Sequence, residues 1–115
     1  MHVTGDPVQL QQVILNLIIN AIDALAETEA RTREVSVTTV RSGAFAEIRI
    51  EDSGPGIASS DLKNVFNPFY TTKPQGMGMG LIIARTIVEA HRGQIIAENK
   101  PAGGARFTIR LPIAR

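Results

Sequence analysis

Asn16-Leu17-Ile18-Ile19-Asn20-Ala21-Ile22-Asp23-Ala24 sets two carboxamides one turn apart inside an otherwise apolar run. Upstream, Asp6-Pro7 reads as a helix start: an acceptor at the cap, then a proline whose missing N–H costs nothing at the first helical position. From Val8 to Ala26, apolar residues recur at Leu10, Val13, Ile14, Leu17, Ile18, Ala21, Ile22 and Leu25, which is helical spacing with a wide buried stripe. The polar remainder is ordered too. Gln12, Asn16, Asn20 and Asp23 fall in one file along the helix.

Downstream, residues 28–33 are polar and read as a loop. Val35 to Arg41 and Phe45 to Glu51 alternate around Ser42-Gly43, as an antiparallel pair does. Ser59-Ser60-Asp61 opens a short helix through Val65, and Asn67 to Met79 has the aperiodic character of a mobile loop. Helical spacing returns over Leu81 to His91 and stops at Arg92-Gly93. Gln94 to Asn99 and Ala105 to Leu111 are two last strands joined through Pro101-Ala102-Gly103-Gly104. This order predicts an α+β fold, a two-layer sandwich with helices on one face of a mixed, mostly antiparallel sheet.

Composition bounds the function. Val, Leu, Ile and Phe supply 33 of 115 residues, enough for a folded core of one domain spanning 1–115. Twelve basic residues balance eleven acidic ones, which suggests neither a nucleic-acid nor a membrane surface. With no cysteine, disulfides and thiolate sites are excluded, and a reducing, cytoplasmic setting is expected. The apolar run from Val13 to Ile22 is interrupted and short for a bilayer, and the N-terminus is not that of a signal peptide. A helix almost at the start and a strand almost at the end suggest a domain excised from a larger protein.

Three clusters carry chemistry. Asn16 and Asn20 either hydrogen-bond within the fold or offer carboxamide oxygens to a hard cation such as Mg²⁺, beside phosphate oxygens and water. Asp52-Ser53-Gly54-Pro55-Gly56 is either a tight turn or a base-reading corner. In the second case Asp52, an acceptor only, takes a hydrogen bond from an adenine amine and refuses a guanine carbonyl. Gly76-Met77-Gly78-Met79-Gly80-Leu81 is either a linker or a phosphate cradle of bare amides at a helix N-terminus. It is neither a Walker A sequence nor a dinucleotide fingerprint. Lys73 is either a solvated loop lysine or a contact for terminal phosphates. Phe66, Phe69 and Tyr70 read as an apolar hinge, and His91 as a helix cap.

Together these residues closely resemble the catalytic and ATP-binding domain of bacterial sensor histidine kinases, within the GHKL superfamily shared with gyrase B, heat-shock chaperone ATPases and MutL. Gln11 to Ala24 is similar to the N box, Asp52 to Gly56 to the G1 box, Phe66 to Phe69 to the F box and Gly76 to Leu81 to the G2 box. Ile87 to His91 and Phe107 to Pro112 match as well. The loop from Thr71 to Gly80 is most similar to the nitrogen-regulatory and FixL-type kinases.

The resemblance implies a Bergerat fold and transfer of the ATP γ-phosphoryl group to a histidine. Asn20 would ligate Mg²⁺ with Asn16 assisting, and Asp52 would bind adenine in a pocket shaped by Gly54 and Gly56. Gly76, Gly78, Gly80 and Leu81 would hold the phosphates, with Asn20 and Lys73 nearest the transfer. Gyrase-like ATPases carry a water-activating glutamate where this chain has Asn16, which cannot act as a base. No histidine here sits in a phosphoacceptor context, so the implied partners are a separate dimerisation and phosphoacceptor domain and a downstream response regulator. An ATP-binding interaction module and an anti-sigma-type serine kinase are the alternatives. Three positions depart from the family pattern: Asp23 where some kinases have a basic residue, Arg92 for a glycine, and Ala105 for Ser or Thr.

Overall fold

Helix α1 (Pro7–Ala26) begins as its capping chemistry requires. Asp6 Oδ1 accepts the amides of Val8 at 2.9 Å and Gln9 at 3.2 Å, and the Asp6 carbonyl accepts Leu10 N at 3.0 Å. The computed structural model describes residues 2–26, 33–62, 64–66 and 80–114. Over these the order continues with β1 (Val35–Ser42), β2 (Phe45–Asp52), α2 (Ser59–Leu62), α3 (Gly80–Ala90), β3 (Gln94–Asn99) and β4 (Ala105–Pro112).

The β1–β2 hairpin turns on Gly43, whose φ of 60° suits the first position of a two-residue loop. Helix α2 stops three residues short of the expected Val65. There Asn64 N bonds to Asp61 O at 2.8 Å, and the Asn64 side chain takes the Ser60 carbonyl at 3.4 Å, turning the chain out of the helix.

The sheet order is β1-β2-β4-β3, and every pairing is antiparallel. This corrects the expectation of a mixed sheet. The crossover through α2 and α3 does make β2 and β3 run in the same direction, as a helical connection should. However, β4 inserts between them, so these two parallel strands never share hydrogen bonds.

Alternation along β4 divides the two faces. Ala105, Phe107, Ile109 and Leu111 point to the helices and are buried with Ile50 of β2, Val13, Leu17 and Ala21 of α1, and Ala84 and Val88 of α3. Burying a side chain such as Leu17 contributes roughly 1.5–3 kcal/mol. Phe66, one of the three aromatics read as an apolar hinge, closes this core edge-on against Phe107, ring centroids 6.2 Å apart; Phe69 and Tyr70 lie outside the described residues.

Among the described residues, the outer face carries charged side chains and no second layer. Arg106 bridges Glu98 at 2.9 Å and Glu51 at 3.2 Å. Glu47 lies 2.9 Å from Arg49 and 3.1 Å from Arg110, whose guanidinium stacks 4.4 Å over the Phe45 ring.

Helix α1 departs from expectation in one respect. Ile22, counted in its buried stripe, is 54% exposed, lying about 140° round the helix from Leu17. With Val8, Leu15 and Ile19 it forms an apolar ridge opposite the core. Over its whole length α1 is therefore long and apolar enough to cross a membrane, although the run from Val13 to Ile22 is not; Val13, Leu17, Ala21 and Leu25 are buried in the protein.

Candidate functional site

Asp52 is the last residue of β2 and shares its inward face with Ile48 and Ile50, so the alternation that builds the core drives a carboxylate into it. The residue is 3% exposed. Burial at this depth requires partners, and Oδ1 accepts two: the Gly54 amide at 2.9 Å and the Ala105 amide at 3.3 Å. Oδ2 accepts no hydrogen bond from a described residue. The corner is closed from behind by Gly104, at φ 87°, where a Cβ would run into the Asp52 carbonyl. Ser53 extends the β1–β2 ladder by one step, accepting Glu34 N on its hydroxyl at 2.8 Å and donating its own amide to Glu34 O at 3.0 Å.

The end of α1 lies over this corner. A Cβ on Gly54 would sit 3.0 Å from Asp52 Oδ1 and 3.4 Å from the Ala24 carbonyl, so the glycine is what lets strand end and helix end meet. Further along, Asn16 Nδ2 donates to the carbonyl of Gly80 at 3.4 Å, placing the polar file of α1 against the start of α3. That bond satisfies the amide nitrogen by a facing helix, one of the two roles read for Asn16, and leaves its Oδ1 to accept or ligate. Asn20 is half-buried on the same file. Sheet corner, polar file and helix N-terminus therefore follow one another along α1.

The family described as histidine kinase-, DNA gyrase B-, and HSP90-like ATPase matches residues 5–115. The chain belongs to this family. It is 43% identical over 114 residues to the sensor histidine kinase TmoS of Ectopseudomonas mendocina, covering 97% of this chain and 12% of TmoS. Against the sensor protein FixL of Bradyrhizobium diazoefficiens it is 43% identical over 112 residues, covering 97% of this chain and 22% of FixL. The chain thus spans less than a quarter of the length of either. Among solved structures, a nucleotide-free catalytic domain of the histidine kinase ThkA superposes with a TM-score of 0.82 at 34% identity, covering 96% of this chain and 70% of that one.

Seen as a GHKL ATPase domain, the fold brings Asp52 and Gly54 together beside the end of α1, sets Gly56 against Asn99 and Gly104, and places Asn16 beside Gly80. Leu81 is half-buried and packs against the core. Lys73, Gly76 and Gly78 lie outside the described residues. Among the described residues no three His, Cys, Asp or Glu side chains gather as a metal site.

Two residues matter more than their sequence context indicates. Asn99 Oδ1 accepts Ile57 N at 2.8 Å and its Nδ2 donates to Ile57 O at 2.7 Å, across 42 residues of chain. In sequence it is only an asparagine before a Pro-Gly turn. His91 caps its own helix, Nδ1 lying 2.8 Å from Ile87 O. Its Nε2 also accepts the Asp6 amide at 3.0 Å, which ties the end of α3 to the start of α1 and requires the neutral Nδ1–H tautomer.

Proposed function

We propose that residues 1–115 are the ATP-binding catalytic domain of a sensor histidine kinase, handing the γ-phosphoryl group to a histidine on a separate dimerisation domain. The observation that carries this reading is Asp52: a buried carboxylate with Oδ1 held by two backbone amides and no described donor on Oδ2. An acceptor so placed suits the exocyclic amine of adenine and opposes the carbonyl of guanine. Gly54 and Gly56 shape the walls of that pocket.

The phosphates would then extend along α1 toward Gly80, where bare amides at the start of an eleven-residue helix favour anions. By the family resemblance Gly76, Gly78, Gly80 and Leu81 would form this cradle, and Lys73 is the candidate for the γ-phosphate. Asn20, with Asn16 assisting, is the candidate ligand for Mg²⁺. Neutral amides fit a cation that arrives with phosphate oxygens already supplying negative charge. Bound there, the ion would neutralise charge on the phosphates during transfer.

What the chain itself contributes is position. It holds the base at one corner and the phosphates at the other, and it leaves the nucleophile to a partner. Asn16, where gyrase-like enzymes carry a basic glutamate, cannot deprotonate water. In the whole kinase the phosphohistidine would pass its phosphoryl group to a response regulator, with this domain in the cytoplasm.

Labelled ATP and a supplied phosphoacceptor domain test the reading. Acid-labile label should appear on the acceptor and disappear with Asn20→Ala. Acid-stable label would mark a serine kinase of the same superfamily, and nucleotide binding without transfer would leave an interaction module.

A further inference from the structure

The loop that follows Asp52 has few means of holding its shape. It carries Gly54, Pro55 and Gly56, it belongs to no helix or strand, and it must place its backbone beside the carboxylate. Its first turn is pinned by Gly54 N on Asp52 Oδ1. Its far end is pinned by one side chain from another element. Asn99, the last residue of β3, pairs with both backbone groups of Ile57, as a neighbouring strand would. Gly56 lies directly beneath this clamp, at φ 82°, where a Cβ would come within 2.8 Å of Asn99 Oδ1.

We propose that Asn99 is a positioning residue for nucleotide recognition: its paired hydrogen bonds to Ile57 hold the Gly54–Gly56 loop against the sheet end, so that Asp52 reads the base. The inference rests on the assignment of Asp52 to adenine. The carboxamide is the one side chain of this size that both donates and accepts in a single plane. The substitution Asn99→Asp would keep the bond from Ile57 N and lose the bond to Ile57 O; Asn99→Ala would lose both.

ATP and GTP titrations of the unmodified chain, Asn99→Ala and Asn99→Asp, with Mg²⁺ present, test it. Asn99→Ala should weaken ATP binding by roughly tenfold and narrow the preference for ATP over GTP, and Asn99→Asp, which sets a carboxylate oxygen against the Ile57 carbonyl, should do so at least as much. Amide exchange at Ile57 should be slow in the unmodified chain and fast in Asn99→Ala. ATP affinity within about twofold of the unmodified chain, with the ATP preference intact, would overturn the proposal. A change confined to melting temperature would overturn it too, since a purely structural role moves stability and not base preference. Should Asn99→Ala not fold, the isosteric Asn99→Asp decides on the same two readouts. If the unmodified chain shows no preference for ATP, the Asp52 reading fails and this inference with it; if it prefers ATP and both variants do so equally, Asn99 alone is wrong.

Discussion

Single residues set the chemistry of the corner. Asp52→Asn keeps an oxygen for Gly54 N and Ala105 N but turns the other acceptor into a donor, which would face the adenine amine. We expect ATP affinity to fall by roughly 100-fold, with little change in melting temperature; titration calorimetry and a thermal melt check the two halves. Two adjacent positions at the end of α3 respond in opposite senses. Arg92 holds φ at 64°, a left-handed conformation that costs a side chain energy and suits glycine, so Arg92→Gly should stabilise by about 0.5–1 kcal/mol. At Gly93 a Cβ would run into the Arg110 carbonyl of β4, and Gly93→Ala should destabilise by about 2 kcal/mol or more. Urea denaturation measures both. The glycine expected at 92 was legible from the family pattern. The close approach at 93 was not, because a glycine after a helix has the same local reading whether or not a strand presses on it.

The elements follow from periodicity, and their ends from capping. Helix α1 was readable from Asp6 to its C-terminus because proline and apolar spacing agree. Its polar file was readable as well, since residues three and four apart share a face whatever they meet. What meets them was not. Asn16 faces Gly80 across 64 residues, and Asp6 meets His91 across 85. His91 therefore connects two helices where the sequence suggested one cap. Removing it with His91→Phe should lower stability by about 1–2 kcal/mol and leave ATP affinity within about twofold, because the tie lies at the opposite end of both helices from Asp52 and Gly80. A denaturation curve beside a nucleotide titration separates the two effects.

For the whole molecule, the prediction concerns what the domain does alone. With Asn16 in place of a basic carboxylate, it should bind ATP with Mg²⁺, gain thermal stability as the nucleotide is raised, and hydrolyse it far more slowly than a dedicated ATPase. Steady-state phosphate release measures the last point. Turnover at ATPase rates would contradict phosphoryl transfer to a partner as its purpose.

At this scale the division between sequence and structure is plain. Legible without the fold were the order of the seven elements among the described residues, most of the buried stripe of α1, its polar file and the glycines at both suspected ends of a nucleotide, because each follows from a local repeat or a local dihedral preference; Ile22, on the exposed side of α1, is the exception. Tertiary structure alone decided that β4 enters between β2 and β3, making the sheet purely antiparallel. It also decided that Ala105 N and Gly104 close the Asp52 corner, and that Asn99 pins Ile57. The physical reason is common to all three. A strand's alternation says which side chains go inward but not which neighbour it pairs with, and that choice is settled by packing energy summed over the whole core.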